Sequence, residues 1–138
     1  MASVIFNSFK QRVLDGECDL NTDEFYVGLL TSSFTPNIDT QSVWGDISAS
    51  EISGAGYVAG GTTLAGMTVI LNTSTDKAIL DADDVTWTNS TITARYVAIY
   101  KKTAPQWLVA AFDFAADKAS NNGDFTVQWN ASGILDLY

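Results

Sequence analysis

The chain has no histidine and only one cysteine, and these two scarcities exclude most familiar catalytic and metal sites. Without histidine, neither a Ser-His-Asp triad nor a Cys-His pair can form, and no histidine-ligated zinc or haem can be held. Cys18 alone allows no internal disulfide and no metal cluster, and it favours a reducing compartment of synthesis. We therefore expect no catalytic residues of these kinds, no cofactor and no metal.

Basic residues and long apolar runs are also scarce. Seven Lys and Arg stand against 16 Asp and Glu, which gives a net charge of −9 and a pI near 4.1. Such a surface repels nucleic acid. No run approaches the roughly 20 apolar residues that cross a bilayer. Near the start, an apolar run of three residues precedes Lys10 and Arg12, so we expect no secretory signal and no membrane partner.

What the chain does have is apolar surface for one core. Hydrophobic residues make up 46% of the 138 residues and aromatic residues 12%. Charged residues, at 17%, are fewer than the roughly 25% of an ordinary globular domain. Residues 1–138 are therefore predicted to form a single globular domain.

Local patterns predict many short strands and one helix. Phe6, Phe9 and Val13 recur at helical spacing, so we predict a helix over residues 3–14, capped by Ser3, within an N-terminal segment 1–20. Strand-like runs follow at residues 25–30, 67–71, 77–80, 85–87, 91–101, 106–114, 125–129 and 134–137. The pattern predicts an all-β fold, an antiparallel sandwich or jelly roll of seven to eight strands with one short N-terminal helix. The run at 92–100 is apolar on both faces, which is typical of a central strand.

A long segment, residues 34–64, combines glycine and serine with Trp44 and Tyr57. Its glycines do not match a phosphate-binding loop, which needs a preceding strand, a following helix and a defined spacing. We predict an ordered, projecting loop whose glycines allow positive φ angles. Trp44 and Tyr57 are expected to anchor it, either to its own sandwich or to a neighbouring protein.

Acidic side chains raise two further possibilities. Asp81, Asp83 and Asp84 lack the layout of an EF-hand and are interpreted as a solvated turn, although cation binding there stays open. Paired carboxylates of a glycoside hydrolase cannot be singled out among the many present, so a hydrolase is the least favoured class.

Tryptophan raises the possibility of sugar binding. Trp44, Trp87, Trp107 and Trp129 could form a stacking platform of a carbohydrate-binding module. Because large aromatic side chains dominate buried area, we expect about three of the four to lie in the core or an interface.

Several stretches together resemble small acidic virion proteins of tailed bacteriophages. They cover most of the chain and comprise residues 25–33, 43–64, 80–87, 94–100 and 129–135. The resemblance implies a jelly-roll-like, non-enzymatic particle component. Within that group it favours a capsid cement or decoration protein.

Such a role implies a definite setting for the protein. It would be a homo-oligomer on the outer face of the head, bound to the major capsid protein after synthesis in the host cytoplasm. Apolar anchors would be needed at the contacts, and the candidates are Phe6, Phe9, Trp44, Tyr57 and Trp107. A tail, collar or fibre component is the alternative within virions, and a carbohydrate-binding module is the alternative outside them.

Overall fold

The computed structural model describes residues 2–138, which form an antiparallel all-β fold with one α-helix, as predicted. The helix α1 spans Asn7–Leu14, and two short 3-10 turns span Trp44–Asp46 and Ser48–Ser50. The ten strands are β1 (Ala2–Ile5), β2 (Phe25–Leu30), β3 (Thr62–Thr63), β4 (Thr68–Asn72), β5 (Lys77–Asp81), β6 (Val85–Ser90), β7 (Thr93–Lys101), β8 (Leu108–Ala119), β9 (Gly123–Val127) and β10 (Leu135–Leu137). No helix of the described residues has the length and apolarity needed to cross a membrane.

The largest sheet has five strands in the order β1-β8-β7-β2-β3, and β7 lies at its centre. All of its pairings are antiparallel. Strand β7 is buried along most of its length, which confirms the prediction that the two-sided apolar run is central. Two smaller sheets, β10-β5-β4 and β6-β9, complete the strand set.

Both faces of the five-stranded sheet are covered. One face packs in a core with the strands of the smaller sheets, including Leu80, Val85, Trp87, Phe125 and Val127. The other face packs against Phe34, Trp44 and Ile47, which belong to the long segment between β2 and β3. Because side chains alternate across a strand, β2 sends Val27 and Leu29 into the first core and Leu30 into the second.

The N-terminal segment differs from the predicted helix of residues 3–14. Residues Ala2–Ile5 form β1, which pairs with β8, and the helix begins only at Asn7. Ser3 therefore lies in a strand, and Phe6 precedes the helix with no side-chain cap. The predicted helical spacing holds from Phe6 onward, whereas the pairing available along β8 decides the conformation of the four residues before it.

Eight of the ten strands coincide with the predicted runs, and β1 and β3 are additional. The run at residues 125–129 alternates as predicted, since Phe125, Val127 and Trp129 are buried while the residues between them are exposed. One face of that strand therefore meets water.

The long segment does not project from the fold. It crosses one face of the sheet and then runs along the outer edge of β2, where Thr62–Thr63 form β3. Backbone hydrogen bonds hold it there, from Thr31 N to Ser50 O at 2.8 Å, from Ile52 N to Leu29 O at 3.1 Å and from Leu64 N to Phe25 O at 2.9 Å. It covers an edge that would otherwise present unpaired backbone groups. Gly61, with φ +85°, allows this close approach, since any Cβ there would overlap the Val27 carbonyl.

Candidate interaction surfaces

Trp44 anchors the long segment to its own chain. Its side chain is only 6% exposed, and its indole stacks on Tyr100 with ring centroids 4.3 Å apart and an interplanar angle of 13°. The outer ring of the indole lies directly against the backbone of Gly28, where any side chain would overlap it. Of the two anchoring sites that the sequence left open, the structure places Trp44 on its own sheet.

The turn that presents Trp44 is fixed by Asp46. Its carboxylate accepts hydrogen bonds from Ser42 N at 2.9 Å and Val43 N at 3.1 Å. Those two backbone bonds favour the ionised form and hold the pKa of Asp46 below its usual range. The turn therefore has an ionised local cap at neutral pH.

Tyr57 joins a polar network between the segment and β2. Its hydroxyl donates to Glu51 Oε1 at 2.7 Å and accepts from Leu29 N at 3.0 Å. Glu51 Oε1 also accepts from Gly60 N, and the hydroxyl of Tyr100 donates to Gly60 O. Burial is the main cause that raises the pKa of Tyr57 above its usual range and the pKa of Tyr100 to about 12. Both phenols therefore remain neutral donors at physiological pH.

The other predicted contact residues divide into buried and partly exposed. Phe6 is fully buried and Phe9 nearly so, and with Trp44 they lie in the cores of the subunit. A neighbouring protein could not contact these three side chains on the folded chain, because its own packing encloses them. Trp107 is half-buried, with the Arg12 guanidinium 4.1 Å from its ring centroid. Tyr57 and Trp107 keep some exposed surface.

The four indoles do not form a sugar-stacking platform. Trp44, Trp87 and Trp129 are each 6% exposed, which agrees with the expectation that three of the four are buried. Trp129 is also tied by its ring N–H, which donates to Asp83 O at 3.0 Å. Arg12 covers one face of the fourth indole. Stacking of a sugar needs an open indole face, so the arrangement does not favour a carbohydrate-binding module.

The acidic turn serves the fold in a way the sequence did not suggest. Asp84 Oδ1 accepts from Trp129 N at 2.9 Å, and Asp81 Oδ1 accepts from Ala82 N at 2.9 Å. The bond to Asp84 ties the turn to the residues after β9, and the bond to Asp81 is local to the turn. Within residues 2–138, no three acidic, cysteine or histidine side chains gather as a metal would require.

An open cavity of about 330 Å³ lies beside the polar network. Glu51 is the one ionisable side chain in its lining, which otherwise consists of Thr31, Ile52, Ser53, Thr91, Ile92, Thr93 and Ser120. Hydrolysis by paired carboxylates needs two such groups at the reacting bond. The cavity lining supplies one, and that carboxylate is engaged by Tyr57 and Gly60.

An exposed apolar surface on the small sheet β10-β5-β4 was missed by the sequence interpretation. Of the seven large hydrophobic side chains exposed in the described chain, five lie there. We call this surface the β4 patch, and its members are Val69, Ile70, Leu71, Leu137 and Tyr138. A signal was present in the sequence, because no charged residue occurs between Glu51 and Asp76. Val69 and Leu71 lie on one face of the sheet and Ile70 on the other, so both faces of the edge strand carry exposed aliphatic side chains. Clustered exposed apolar side chains mark a contact site more often than scattered single residues do.

The fold and these surfaces define an antiparallel all-β domain whose edge strand β4 carries exposed apolar side chains. Comparison with protein-family models, with curated proteins and with solved structures gives no match for this chain. Function is therefore inferred from the chain's own residues and from the sequence resemblance described above.

Proposed function

We propose that the protein is a structural component of a tailed-bacteriophage virion and acts there as a capsid cement or decoration protein. The resemblance of most of the chain to small acidic virion proteins supports the virion role. The observation that carries an oligomeric, multivalent role is the β4 patch, an uncovered apolar surface on a chain whose long segment is fixed by Trp44 and Tyr57.

Rigidity matters for adhesion because a partner binds without first ordering a loop. The Glu51–Tyr57 network and the Trp44 stack already fix the segment, so little conformational entropy is lost on binding. In the proposed mechanism, a symmetric oligomer contacts several major capsid protein subunits at once. Weak individual contacts then combine into strong attachment that resists opening of the shell.

Charge is consistent with a place on the outer face of the head. A net charge of −9 disfavours contact with packaged DNA. Contact with the shell would instead use uncharged surface, for which the half-buried Trp107 is the remaining indole candidate. Synthesis in the host cytoplasm and attachment after shell formation follow from the same proposal.

The test uses particles that lack the protein. They should lose resistance to heat and pressure, and purified protein added back should restore it and should label the head in images of intact particles. Trp107→Ala should weaken rebinding several-fold, whereas Val58→Ala, an exposed apolar position in the long segment, serves as the matched control. Equal stability of the deficient particles, with the protein found only in purified tails, would refute cementing and favour the tail, collar or fibre alternative.

A further inference from the structure

Strand β4 is an edge strand without the usual protection. It forms one end of the sheet β10-β5-β4 and pairs only with β5 among the described residues. Natural edge strands are commonly shielded by charged residues, proline, bulges or a covering loop. The edge of β2 has such a loop, whereas β4, with the sequence Thr-Val-Ile-Leu-Asn, has neither charge nor proline and no register shift against β5.

Exposed apolar side chains extend from the β4 edge across the small sheet to β10. Register places Leu71 beside Ala78 and Ala78 beside Leu137, so these residues form one apolar row on one face. Leu71 is 73% exposed, and Tyr138 at the end of the chain is 94% exposed. Among the charges near this row, Lys77 is paired, with its Nζ 3.0 Å from Asp136 Oδ2, and Asp81 lies opposite Thr68 at the first residue of the strand.

We propose that β4 pairs antiparallel with β4 of a second copy of this chain, forming a two-fold dimer with a continuous six-stranded sheet. A two-fold axis normal to the sheet requires one residue to lie opposite its own copy, and Ile70 is the central residue of the strand. Val69 then faces Leu71 of the second copy, so aliphatic side chains meet aliphatic side chains on both faces.

Charge and self-complementarity favour a second copy as the occupant. Two chains that each carry −9 repel one another, so self-contact is favoured where charge is absent, and β4 lies in the uncharged stretch 52–75. The antiparallel register about Ile70 sets Thr68 opposite Asn72 and Val69 opposite Leu71, so no charged side chain of one β4 faces another. Val69, Ile70 and Leu71 are 48%, 51% and 73% exposed, and the pairing would cover them together with the unpaired backbone groups of the edge. Leu137 and Tyr138 lie on the far side of the small sheet, outside this contact.

Oligomeric state tests the proposal directly. The full chain, studied by sedimentation and light scattering over a range of concentrations, should reach twice the subunit mass and stop there. Ile70→Lys should weaken self-association by roughly a hundredfold or more, because two lysines would face each other across the axis. The matched control Val58→Lys places the same charge on another exposed apolar residue and should leave the dimer intact. Ile70 is half exposed, so circular dichroism and the melting temperature of the Ile70→Lys subunit should show a folded chain.

Cross-linking tests the register independently of affinity. Residues opposite each other in an antiparallel pair lie about 4.5–5.5 Å apart at Cα, within the range that a disulfide spans. Ile70→Cys should therefore give a covalent dimer on mild oxidation, whereas Val58→Cys should not. The native Cys18 is buried and should not compete.

Several results would overturn the pairing. They are a monomer at every concentration, equal weakening by both lysine variants, growth beyond two copies, or no covalent dimer from Ile70→Cys. This inference names a contact for the oligomer in the proposed function but does not depend on where the protein lies in a virion. A monomer that still binds and stabilises shells would refute the pairing and leave the capsid role standing, whereas a dimer that never binds shells would do the reverse.

Discussion

Replacing Gly28 with alanine should destabilise the fold, although the same change in most strands stabilises it. Gly28 lies in β2, and a Cβ built there would come within 2.9 to 3.1 Å of two outer-ring atoms of the Trp44 indole and closer still to a third. The indole is held from its other side by the stack on Tyr100. It therefore cannot move away without losing that contact.

Two opposing effects set the magnitude. Alanine in place of glycine in a strand ordinarily gains about 0.5–1 kcal/mol, because the unfolded chain loses conformational freedom. Overpacking a well-filled site costs roughly 1–3 kcal/mol, so the net loss at Gly28 should be about 0.5–2 kcal/mol. For 138 residues the unfolding entropy is about 0.3 kcal/mol/K, which converts this loss to a melting temperature lower by about 2–7 °C.

Gly45 provides the matched control, because no atom lies within 4 Å of a Cβ built at that position. Urea and thermal unfolding of both variants should show Gly28→Ala below the wild type and Gly45→Ala equal to it or slightly above. In a Trp44→Phe background, which lacks the outer indole ring, the cost of Gly28→Ala should shrink by at least about 0.5 kcal/mol. If Gly28→Ala were as stable as Gly45→Ala, the indole would not lie against β2 and the anchoring of the long segment would be wrong.

Three further substitutions test the packing and the network. Trp44→Ala should cost about 3–5 kcal/mol in urea unfolding, because a nearly buried indole is removed, and a loss below 1 kcal/mol would contradict its burial. Tyr57→Phe should cost about 1–3 kcal/mol, since a backbone N–H and the Glu51 carboxylate each lose a partner. It should also lessen the fall of stability above about pH 10, where the unfolded phenol ionises before the folded one, whose pKa is raised by burial. The hydrogen bond from Arg95 at 2.6 Å holds the pKa of Asp113 below its usual range. This pair stabilises the fold above about pH 4 and ceases to do so as the pH falls. Asp113→Asn should therefore lessen the fall in unfolding free energy below about pH 4, measured by urea unfolding at several pH values. An unchanged fall would count against the pair.

The strand pattern was predictable because it depends on which side of each residue meets solvent. In β2 and β7 the alternation of apolar side chains follows the pleat, so period two in the sequence identifies a strand wherever it is folded. The clean alternation at Phe125 and Val127 likewise predicted a strand with one face in water. This alternation is local, because successive side chains of any strand point to opposite faces of the sheet wherever that strand is placed in the fold.

The start of the helix was not predictable in the same way. Ala2–Ile5 continues the helical spacing of the residues after it, yet it forms β1 because β8 offers a partner for its backbone. That partner lies more than a hundred residues further along the chain. Pairing between distant segments decided the conformation of these few residues, and local spacing carries no information about it.

For the candidate contact residues too, the sequence identified the apolar side chains, but only the tertiary structure decided which of them are buried. Phe9 and Trp44 are apolar anchors in the sequence, and tertiary packing turned both inward. The exposed aliphatic side chains of β4 have the same residue types as a buried strand, so composition does not distinguish them.

By itself, the sequence determined that the chain forms an acidic, antiparallel all-β domain without histidine chemistry, because charge and composition are properties of residue types and strand alternation is local. The tertiary structure alone decided that Trp44 closes onto Gly28 and that β4 is left as an uncovered edge. Both outcomes depend on which distant segments meet, and the same apolar residue types are buried at one meeting place and exposed at another.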